Sequence, residues 1–303
     1  MKNNDTAFLI TGPTSGIGLA TAHELAKHGT LILLGRDRAK LDALVASLTR
    51  EGHRAVPVVC NLADIADVRR AAKEVIALGL PIAGVLNNAG IREGTPTKSP
   101  QGWDLSYATN HLGPFALTEA LIPHLADGAR VVFVESAVED PERKPAKAAG
   151  FKGGRYISAE ASARGEWLAG GATGAGFDSY ATTKQASLAA TLELARENPR
   201  LRVHAVEPGF NPATGLGRDA PFLARMLATA IAPVLPFFLK GASTSKRAAK
   251  VITQVLTTES KETGVYYDEK GVPMQPSEQV RDPKFTRRVL EETRQFLRDA
   301  GFS

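Results

Sequence analysis

The stretch Thr11-Gly12-Pro13-Thr14-Ser15-Gly16-Ile17-Gly18 decides the fold of this 303-residue chain. The apolar run before it, residues 6–10, predicts a buried β-strand, and the pattern after it, residues 17–28, predicts a helix. Glycines at such a turn allow a tight bend and bring backbone N–H groups close to a pyrophosphate, which the helix N-terminus also attracts. The stretch therefore predicts a nucleotide-phosphate site; the alternative is an ordinary glycine-rich turn.

Short apolar runs alternate with helical patterns along the rest of the chain. After the first strand, the predicted strands lie at residues 31–34, 55–59, 84–86, 130–134, 202–206 and 264–267. After the first helix, the predicted helices lie at residues 39–50, 65–78, 101–125, 180–198, 246–258 and 284–297. Continuous apolar strands that alternate with helices are typical of a parallel sheet covered on both faces. We therefore predict an α/β, single-domain Rossmann fold over residues 1–303, with a doubly wound parallel sheet of about seven strands.

Two stretches interrupt this alternation. Residues 137–178 are rich in Gly, Ala, Lys and Glu and are interpreted as an insertion, part loop and part short helix. Residues 214–245 follow a segment rich in Pro and Gly and are strongly apolar at their centre. We interpret both as additions to one domain, because no stretch of the chain reads as a linker between two independent domains.

The composition excludes several classes of protein. Hydrophobic residues make up 43% of the chain, which is too many for a disordered protein. Cys60 is the only cysteine, which excludes an internal disulfide scaffold. The 37 Lys and Arg residues exceed the 32 Asp and Glu residues by 5, which raises the question of nucleic acid. Because the basic residues stand in small groups beside acidic neighbours, we predict no nucleic-acid partner.

The sequence shows no signal that directs a chain to a membrane. Residues 1–5 lead directly into the first predicted strand rather than into the apolar core of a signal peptide. The longest apolar stretch, residues 222–239, contains Arg225, Pro233 and Pro236 and is too interrupted for a spanning helix. We expect a cytoplasmic protein without an integral membrane segment, and a single free cysteine fits a reducing compartment.

Three further motifs follow the glycine turn in a fixed order. They are Asn87-Asn88-Ala89-Gly90 after the fourth strand, Tyr180-Ala181-Thr182-Thr183-Lys184 on a predicted helix, and Pro208-Gly209 after the sixth strand. Together with the T-G-x-x-x-G-x-G spacing of the turn, they resemble the short-chain dehydrogenase/reductase family over residues 6–214. The long gap before Tyr180 and the segment at residues 208–216 resemble the branch that contains retinol dehydrogenase and protochlorophyllide reductase.

The resemblance implies an oxidoreductase that transfers a hydride between a nicotinamide and a carbonyl or alcohol. Tyr180 and Lys184 are four residues apart and share a helix face, so the ammonium is expected to lower the pKa of the phenol toward the working pH. Tyr180 then serves as general acid or base. By resemblance, Ser136 binds the substrate carbonyl, although a cap at the strand end is the alternative, and Asn110 bends its helix and holds a water that leads to Lys184.

Glu135 departs from the family's pattern, which has a serine at this place. The sequence leaves two interpretations open: an ion pair with the 137–178 insertion, or a carboxylate that faces the substrate. No set of His, Cys or carboxylate residues has the spacing of metal ligands, so we predict no metal.

The residue after the second strand sets the choice of cofactor. An acidic side chain there would bind the ribose hydroxyls of NAD(H), whereas Arg36 can pair with the 2′-phosphate of NADP(H). We therefore favour NADP(H), with a surface arginine paired to Asp37 as the alternative. Asn61 stands where the family usually has an aspartate and can still accept a bond from the adenine. The residues that the resemblance places around the cofactor are Gly12, Thr14, Ser15, Gly16, Ile17, Gly18, Arg36, Asn61, Leu62, Asn88, Ala89, Gly90, Tyr180, Lys184, Pro208, Gly209 and Thr214.

The same branch handles bulky apolar molecules, so we expect a hydrophobic small-molecule substrate. Residues 214–245 carry apolar side chains suited to a lid over it, and the alternative is that they pack on the sheet or in a subunit interface. These side chains are Phe222, Leu223, Met226, Leu227, Ile231, Leu235, Phe237 and Phe238. By resemblance the chain forms a homodimer or homotetramer. The leading hypothesis is a carbonyl reductase or alcohol dehydrogenase; the alternative is a regulatory or structural protein that binds the cofactor without turnover.

Overall fold

The computed structural model describes residues 6–174, 176–210 and 243–302. At its centre lies a seven-stranded sheet in the order β3-β2-β1-β4-β5-β6-β7. Every neighbouring pair is parallel, which confirms the predicted α/β class. The strands in chain order are β1 (Ala7–Thr11), β2 (Thr30–Gly35), β3 (Ala55–Val59), β4 (Ile82–Asn87), β5 (Arg130–Val134), β6 (Arg202–Val206) and β7 (Val265–Tyr267).

Helices cover both faces of the sheet. The described helices in chain order are α1 (Gly16–Leu25), α2 (Arg38–Arg50), α3 (Ile65–Ala77), α4 (Leu105–Tyr107), α5 (Gly113–Leu121), α6 (Lys144–Ala148), α7 (Ala159–Arg164), α8 (Phe177–Glu197), α9 (Ser245–Thr257), α10 (Glu278–Arg281) and α11 (Pro283–Asp299). Helices α3, α5, α8 and α11 contribute to the core on one face, and α1, α2 and α9 to the core on the other.

Strand β1 shows how one sequence serves both cores. Successive side chains of a strand point to opposite faces of the sheet. Ala7 and Leu9 accordingly pack with α3, α5 and α8, while Phe8 and Ile10 pack with α1, α2 and α9. Because both faces are covered, the strand is apolar at successive positions rather than at alternate ones.

The predicted strands and helices are present, and three strands, β3, β5 and β6, have the predicted bounds. The larger difference lies at residues 101–125, where a single helix was expected. A π-helical turn at Ala108–Leu112 separates α4 from α5. Pro114 has no N–H and therefore cannot donate to the carbonyl of Asn110, four residues earlier, so a regular α-helix cannot run through this point.

The 137–178 insertion lies along α8 and the C-terminal helix. The backbone N–H of Arg155 donates to Oγ1 of Thr182 on α8 at 3.0 Å. The Tyr156 hydroxyl donates to Oε2 of Glu292 on α11 at 2.8 Å. These bonds fix the insertion against the helix that carries Tyr180 and Lys184.

The apolar lid of the sequence analysis lies outside the part of the structure that is described, apart from residues 243–245. Thr214 and the eight apolar side chains named with the lid are likewise outside it. Among the described residues, no helix combines the length and the apolar character needed to cross a bilayer.

Candidate functional site

The glycine turn after β1 packs tightly against the segment that follows β4. The Thr11 hydroxyl accepts bonds from the backbone N–H groups of Asn88 and Ala89, both at 3.0 Å. The Asn88 side-chain amide donates to the carbonyls of Thr11 at 3.0 Å and Gly12 at 3.2 Å. These bonds hold the ends of β1 and β4 side by side at the carboxyl edge of the sheet, where ligands of open α/β sheets bind.

Two glycines of the turn are required by close approach. Gly12 has a φ of +65°, and a Cβ there would lie 2.9 Å from Cα of Ala89. A Cβ on Gly18 would lie 2.2 Å from the carbonyl oxygen of Gly12. Ser15 precedes α1 without making a side-chain capping bond, so the first N–H groups of α1 are left for another acceptor. An anionic group such as a pyrophosphate fits this cradle.

Arg36 follows β2 and has an exposed side chain. Asp37, its proposed surface partner, instead caps α2 by accepting a bond from the N–H of Lys40 at 3.1 Å, and pairs with Nζ of Lys40 at 3.1 Å. Among the described residues, Arg36 has no ion pair. The arrangement therefore disfavours the alternative of an Arg36–Asp37 pair and leaves the guanidinium free to meet a phosphate.

Asn61 lies at the end of β3, beside the buried Leu62. Its side-chain oxygen accepts a bond from the N–H of Ala63 at 3.2 Å and keeps a second lone pair for another donor. The neighbouring Cys60 is buried, and burial raises the pKa of its thiol to about 12. Cys60 is therefore a core residue rather than a nucleophile.

Helix α8 and the end of β5 bring the candidate catalytic residues together. Tyr180 and Lys184 lie on one face of α8 and are both nearly buried, with Nζ of Lys184 6.0 Å from the centre of the Tyr180 ring. Ser136, just beyond β5, makes no side-chain capping bond. The Ser136 side chain therefore does not cap the turn that follows β5.

The electrostatics of Tyr180 differ from the sequence expectation. Burial raises the pKa of the phenol above its ordinary value, and the charge of Lys184 opposes that effect without overcoming it. The carboxyls of Glu135 and Glu207 raise the pKa further, while the Ser136 hydroxyl lowers it. The sign of the lysine's effect is the expected one, and burial, which the sequence analysis did not weigh, is the largest opposing cause.

Glu135 adopts neither of the two interpretations left open by the sequence. Its Oε1 accepts a bond from the Ser187 hydroxyl at 2.6 Å, and its Oε2 lies 3.5 Å from Nζ of Lys184. The carboxyl is thus directed at α8, one turn beyond Tyr180. A glutamate directly after an apolar strand was a signal for a buried ion pair, but the partner could not be read from the sequence.

Asn110 lies in the π-helical turn and is buried. Its side-chain oxygen accepts from the N–H of Ile91, and its amide donates to the carbonyl of Ile91, both at 2.8 Å. Asn110 thus lies where the helix is irregular, and its side chain ties this turn to the segment that continues from Gly90. His111 is buried against Thr293 at 2.9 Å, and burial lowers the pKa of its imidazole to about 3, so it is a neutral structural residue.

Two buried carboxyls near the site went unnoticed in the sequence. Burial raises the pKa of Glu139, after β5, and of Glu207, after β6, to about 7 in each case. Glu207 precedes Pro208-Gly209 and accepts a bond from the N–H of Gly209 at 3.2 Å. Burial thus favours the protonated form of both carboxyls relative to an exposed glutamate.

Replacing Glu139 by Gln should make the protein's stability less dependent on pH. The folded pKa of about 7 lies above that of an unfolded glutamate. The folded state thus binds the proton more tightly, and its stability falls as pH rises between the two values. Gln keeps an acceptor for the N–H of Ser277, which donates to Glu139 at 2.9 Å. We expect the loss of unfolding free energy between about pH 5 and pH 8 to shrink by up to about 3 kcal/mol.

Denaturant unfolding at the two pH values measures this change. Glu142→Gln, an exposed position in the same segment, is the matched control and should behave like the wild type. A Glu139→Gln protein with the pH dependence of the wild type would contradict the assignment.

Two stacked aromatic rings lie beside Tyr180. Phe151, from the insertion, stacks on Phe177 at the start of α8, with ring centroids 4.1 Å apart and planes 11° apart. The Phe151 ring lies 6.4 Å from that of Tyr180, and the guanidinium of Arg92 lies 5.2 Å from the Phe177 ring on α8. The insertion thus places apolar side chains next to Tyr180. The sequence analysis did not identify these side chains.

Comparisons with known proteins agree with this geometry. A family model described as short chain dehydrogenase matches residues 6–146. Retinol dehydrogenase 14 of Mus musculus is 30% identical over 263 residues, which cover 78% of this chain and 71% of that protein. The chloroplastic protochlorophyllide reductase B of Hordeum vulgare is 29% identical over 309 residues, which cover 93% and 76%.

Solved structures show the same fold. An uncharacterized protein from Mycobacterium paratuberculosis superposes with a TM-score of 0.70 at 25% identity, and the match covers 97% of this chain and 93% of that one. A short chain dehydrogenase from Burkholderia cenocepacia in complex with NADP superposes with a TM-score of 0.64 at 23% identity, over 88% and 96%.

Proposed function

This chain belongs to the short-chain dehydrogenase/reductase family of oxidoreductases, and we propose that it is an NADP(H)-dependent carbonyl reductase or alcohol dehydrogenase. The observation that supports the proposal most strongly is the convergence of Tyr180, Lys184 and Ser136. These residues are up to 48 positions apart in the sequence, and they come from two elements, α8 and the end of β5. Ligands of open α/β sheets bind at the carboxyl edge of the sheet.

The residues around the glycine turn fit a dinucleotide. The close packing at Gly12 and Gly18 holds the turn in a tight bend, and the uncapped start of α1 offers N–H groups to a pyrophosphate. In this proposal Asn61 and Leu62 border the adenine, and Arg36 meets a 2′-phosphate. Tyr180, Lys184 and the Pro208-Gly209 segment border the nicotinamide end. The cofactor, when bound, supplies or accepts the hydride.

The protein's own groups move the proton. In reduction, the Ser136 hydroxyl donates a hydrogen bond to the substrate oxygen and orients it, and the Tyr180 hydroxyl gives that oxygen its proton. Lys184 stabilises the phenolate that remains, because its ammonium lies beside the ring. In oxidation each step runs in reverse. Because the net pKa of Tyr180 is raised, the ligand-free phenol is protonated and ready to act as an acid at neutral pH.

Replacing Arg36 by Asp should reverse the cofactor preference. The guanidinium is exposed and has no ion pair among the described residues, so it can form a bidentate pair with a 2′-phosphate, whereas a carboxylate repels that group. We expect the ratio of NADPH to NADH affinity to fall by roughly tenfold to a hundredfold, since each factor of ten corresponds to about 1.4 kcal/mol. Titration of both cofactors by tryptophan fluorescence measures it.

The matched control for this exchange is Arg38→Asp, two residues along the chain. Arg38 already pairs with Asp42 at 2.9 Å. Arg38→Asp should therefore change the preference for NADPH over NADH less than Arg36→Asp does. An Arg36→Asp protein that still prefers NADPH to the wild-type extent would exclude Arg36 as the phosphate ligand.

A bulky hydrophobic substrate is the second part of the proposal. The stacked rings of Phe151 and Phe177 offer a flat apolar surface next to Tyr180. The names of the relatives in mouse and barley point to large apolar molecules for those proteins. A panel that runs from small ketones to long-chain and ring-containing aldehydes and ketones, assayed with NADPH, tests this. Cofactor binding without turnover of any member would favour the alternative, a regulatory protein without activity.

A further inference from the structure

We propose that Glu135 is a positioning residue for the reaction proposed above: it holds the Lys184 ammonium at the end of β5 and offsets its charge toward Tyr180. The family's pattern places a neutral serine at this position, so this device belongs to the present chain. The effect of Glu135 on turnover rests on the proposed function. The ion pair and its effect on the phenol can be measured without any substrate.

The geometry directs Glu135 at the catalytic face of α8. The backbone N–H of Glu135 donates to the carbonyl of Val206 at 2.8 Å, which continues the pairing of β5 with β6 by one residue. The strand alternation then turns the side chain toward α8. There, Tyr180, Lys184 and Ser187 lie along one face of the helix, at intervals of four and three residues. The Glu135 carboxyl meets the last two of them.

Lys184 is held by two neighbouring groups of the β5 end. Its Nζ donates to the carbonyl of Val134 at 2.6 Å and lies 3.5 Å from Oε2 of Glu135. The side chains of Lys184 and Glu135 are 7% and 1% exposed, so neither charge is compensated by solvent. A buried charge that loses its partner is strongly destabilised. Each of these two groups is therefore the main charge partner of the other.

The second carboxyl oxygen of Glu135, Oε2, is the atom that faces Lys184. Ser187 satisfies Oε1, while Oε2 has no hydrogen bond among the described residues. Its only close positive neighbour there is Lys184. Burial raises the pKa of Glu135, and the lysine and the serine hydroxyl oppose that effect. The carboxylate is thus stabilised by the same ammonium that stabilises a Tyr180 phenolate.

Other titratable groups lie on the elements around this pair without contacting Lys184. Glu139 follows β5, Glu207 follows β6, and the buried hydroxyl of Tyr266 lies on β7. Burial raises the pKa of Tyr266, the carboxyls of Glu207, Glu139 and Glu135 raise it further, and Arg143 opposes them. Lys184 therefore lies at the border of an acidic interior. Without the Glu135 charge, the Lys184 ammonium should stabilise a Tyr180 phenolate more strongly.

The direct test is the titration of Tyr180 in the cofactor-free protein. The ultraviolet difference spectrum between the wild type and Tyr180→Phe isolates this phenolate from the other tyrosines. The same difference is recorded in a Glu135→Gln background. We expect the pKa of Tyr180 to fall by about one unit or more on this exchange, as for a charge removed at close range. The apparent pKa that Tyr180 contributes to the pH profile of kcat/KM should also fall.

Glu139→Gln is the matched control. It removes a buried carboxylate from the same segment, but the Glu139 side chain accepts from Ser277 rather than facing Lys184. Its effect on the Tyr180 titration should be clearly smaller than that of Glu135→Gln. Glu135→Ser, which restores the family's residue, provides a second variant if the glutamine protein does not fold.

Three outcomes separate the possibilities. A lower Tyr180 pKa in Glu135→Gln or Glu135→Ser, with little change in Glu139→Gln, supports the positioning role. An unchanged or raised pKa in both Glu135 variants overturns it, and so does an equal effect of Glu139→Gln. Because the titration needs no turnover, it stands even if the substrate panel yields no activity and the proposed function fails.

Discussion

Replacing Tyr180 by Phe should lower turnover by about a hundredfold to ten-thousandfold while the protein remains folded. The variant loses only the hydroxyl that exchanges a proton with the substrate oxygen, and a positioned acid or base contributes a factor of that size. Phe retains the ring that packs near Phe151 and Lys184. Steady-state kinetics with NADPH and the best substrate of the panel measure the effect.

The control for this loss is the affinity for the cofactor. Tyr180→Phe should bind NADPH within a few-fold of the wild type, because the phosphate cradle lies on the glycine turn and not on α8. Ser136→Ala, which removes an orienting hydroxyl, should be impaired but less severely. A Tyr180→Phe protein that keeps most of the wild-type kcat would show that another group delivers the proton.

Replacing Lys184 by Met should lower kcat/KM by about a hundredfold or more and raise the pKa of Tyr180 further. The ammonium is the group that opposes the effect of burial on the phenol, and without it the phenolate loses its nearest positive charge. The Glu135 carboxyl would also be left without its ion-pair partner. Kinetics over a range of pH and the phenolate titration together measure both effects.

The double variant Tyr180→Phe/Lys184→Met decides whether the lysine acts through the tyrosine. If it does, the double variant should be little slower than Tyr180→Phe alone, since groups that act as one unit are not additive. Additive losses would mean that Lys184 has a separate role, for instance in cofactor affinity. Lys250→Met, an exposed lysine on α9, controls for the loss of one positive charge and should behave like the wild type.

The parts of this fold that were predictable depend on local sequence. Strands β3, β5 and β6 have their predicted bounds because each is a short segment rich in valine between polar or turn-forming residues. The glycine turn could be predicted because a Cβ would clash at Gly12 and Gly18, so the motif shows in the sequence as glycines at fixed positions. Tyr180 and Lys184 were paired from a spacing of four, which a helix converts into proximity.

What escaped prediction depends on contacts between distant segments. Glu135 and Ser187 are 52 residues apart in the chain, and Tyr156 and Glu292 are 136 apart, so no spacing rule joins them. The raised pKa of Tyr180 follows from burial and from two carboxyls on other strands. The π-helical turn combines a local cause, Pro114, with a distant one, the bonds between Asn110 and Ile91.

We propose that this protein transfers a hydride from NADPH to a carbonyl carbon, with Tyr180 supplying the proton. The most direct test uses NADPH deuterated at C4 of the nicotinamide with the panel of hydrophobic aldehydes and ketones. We predict an alcohol that carries one deuterium on the former carbonyl carbon with the wild type, and little or none with Tyr180→Phe. Tight binding of NADPH without deuterated alcohol from any member, or equal product from both proteins, would contradict the claim.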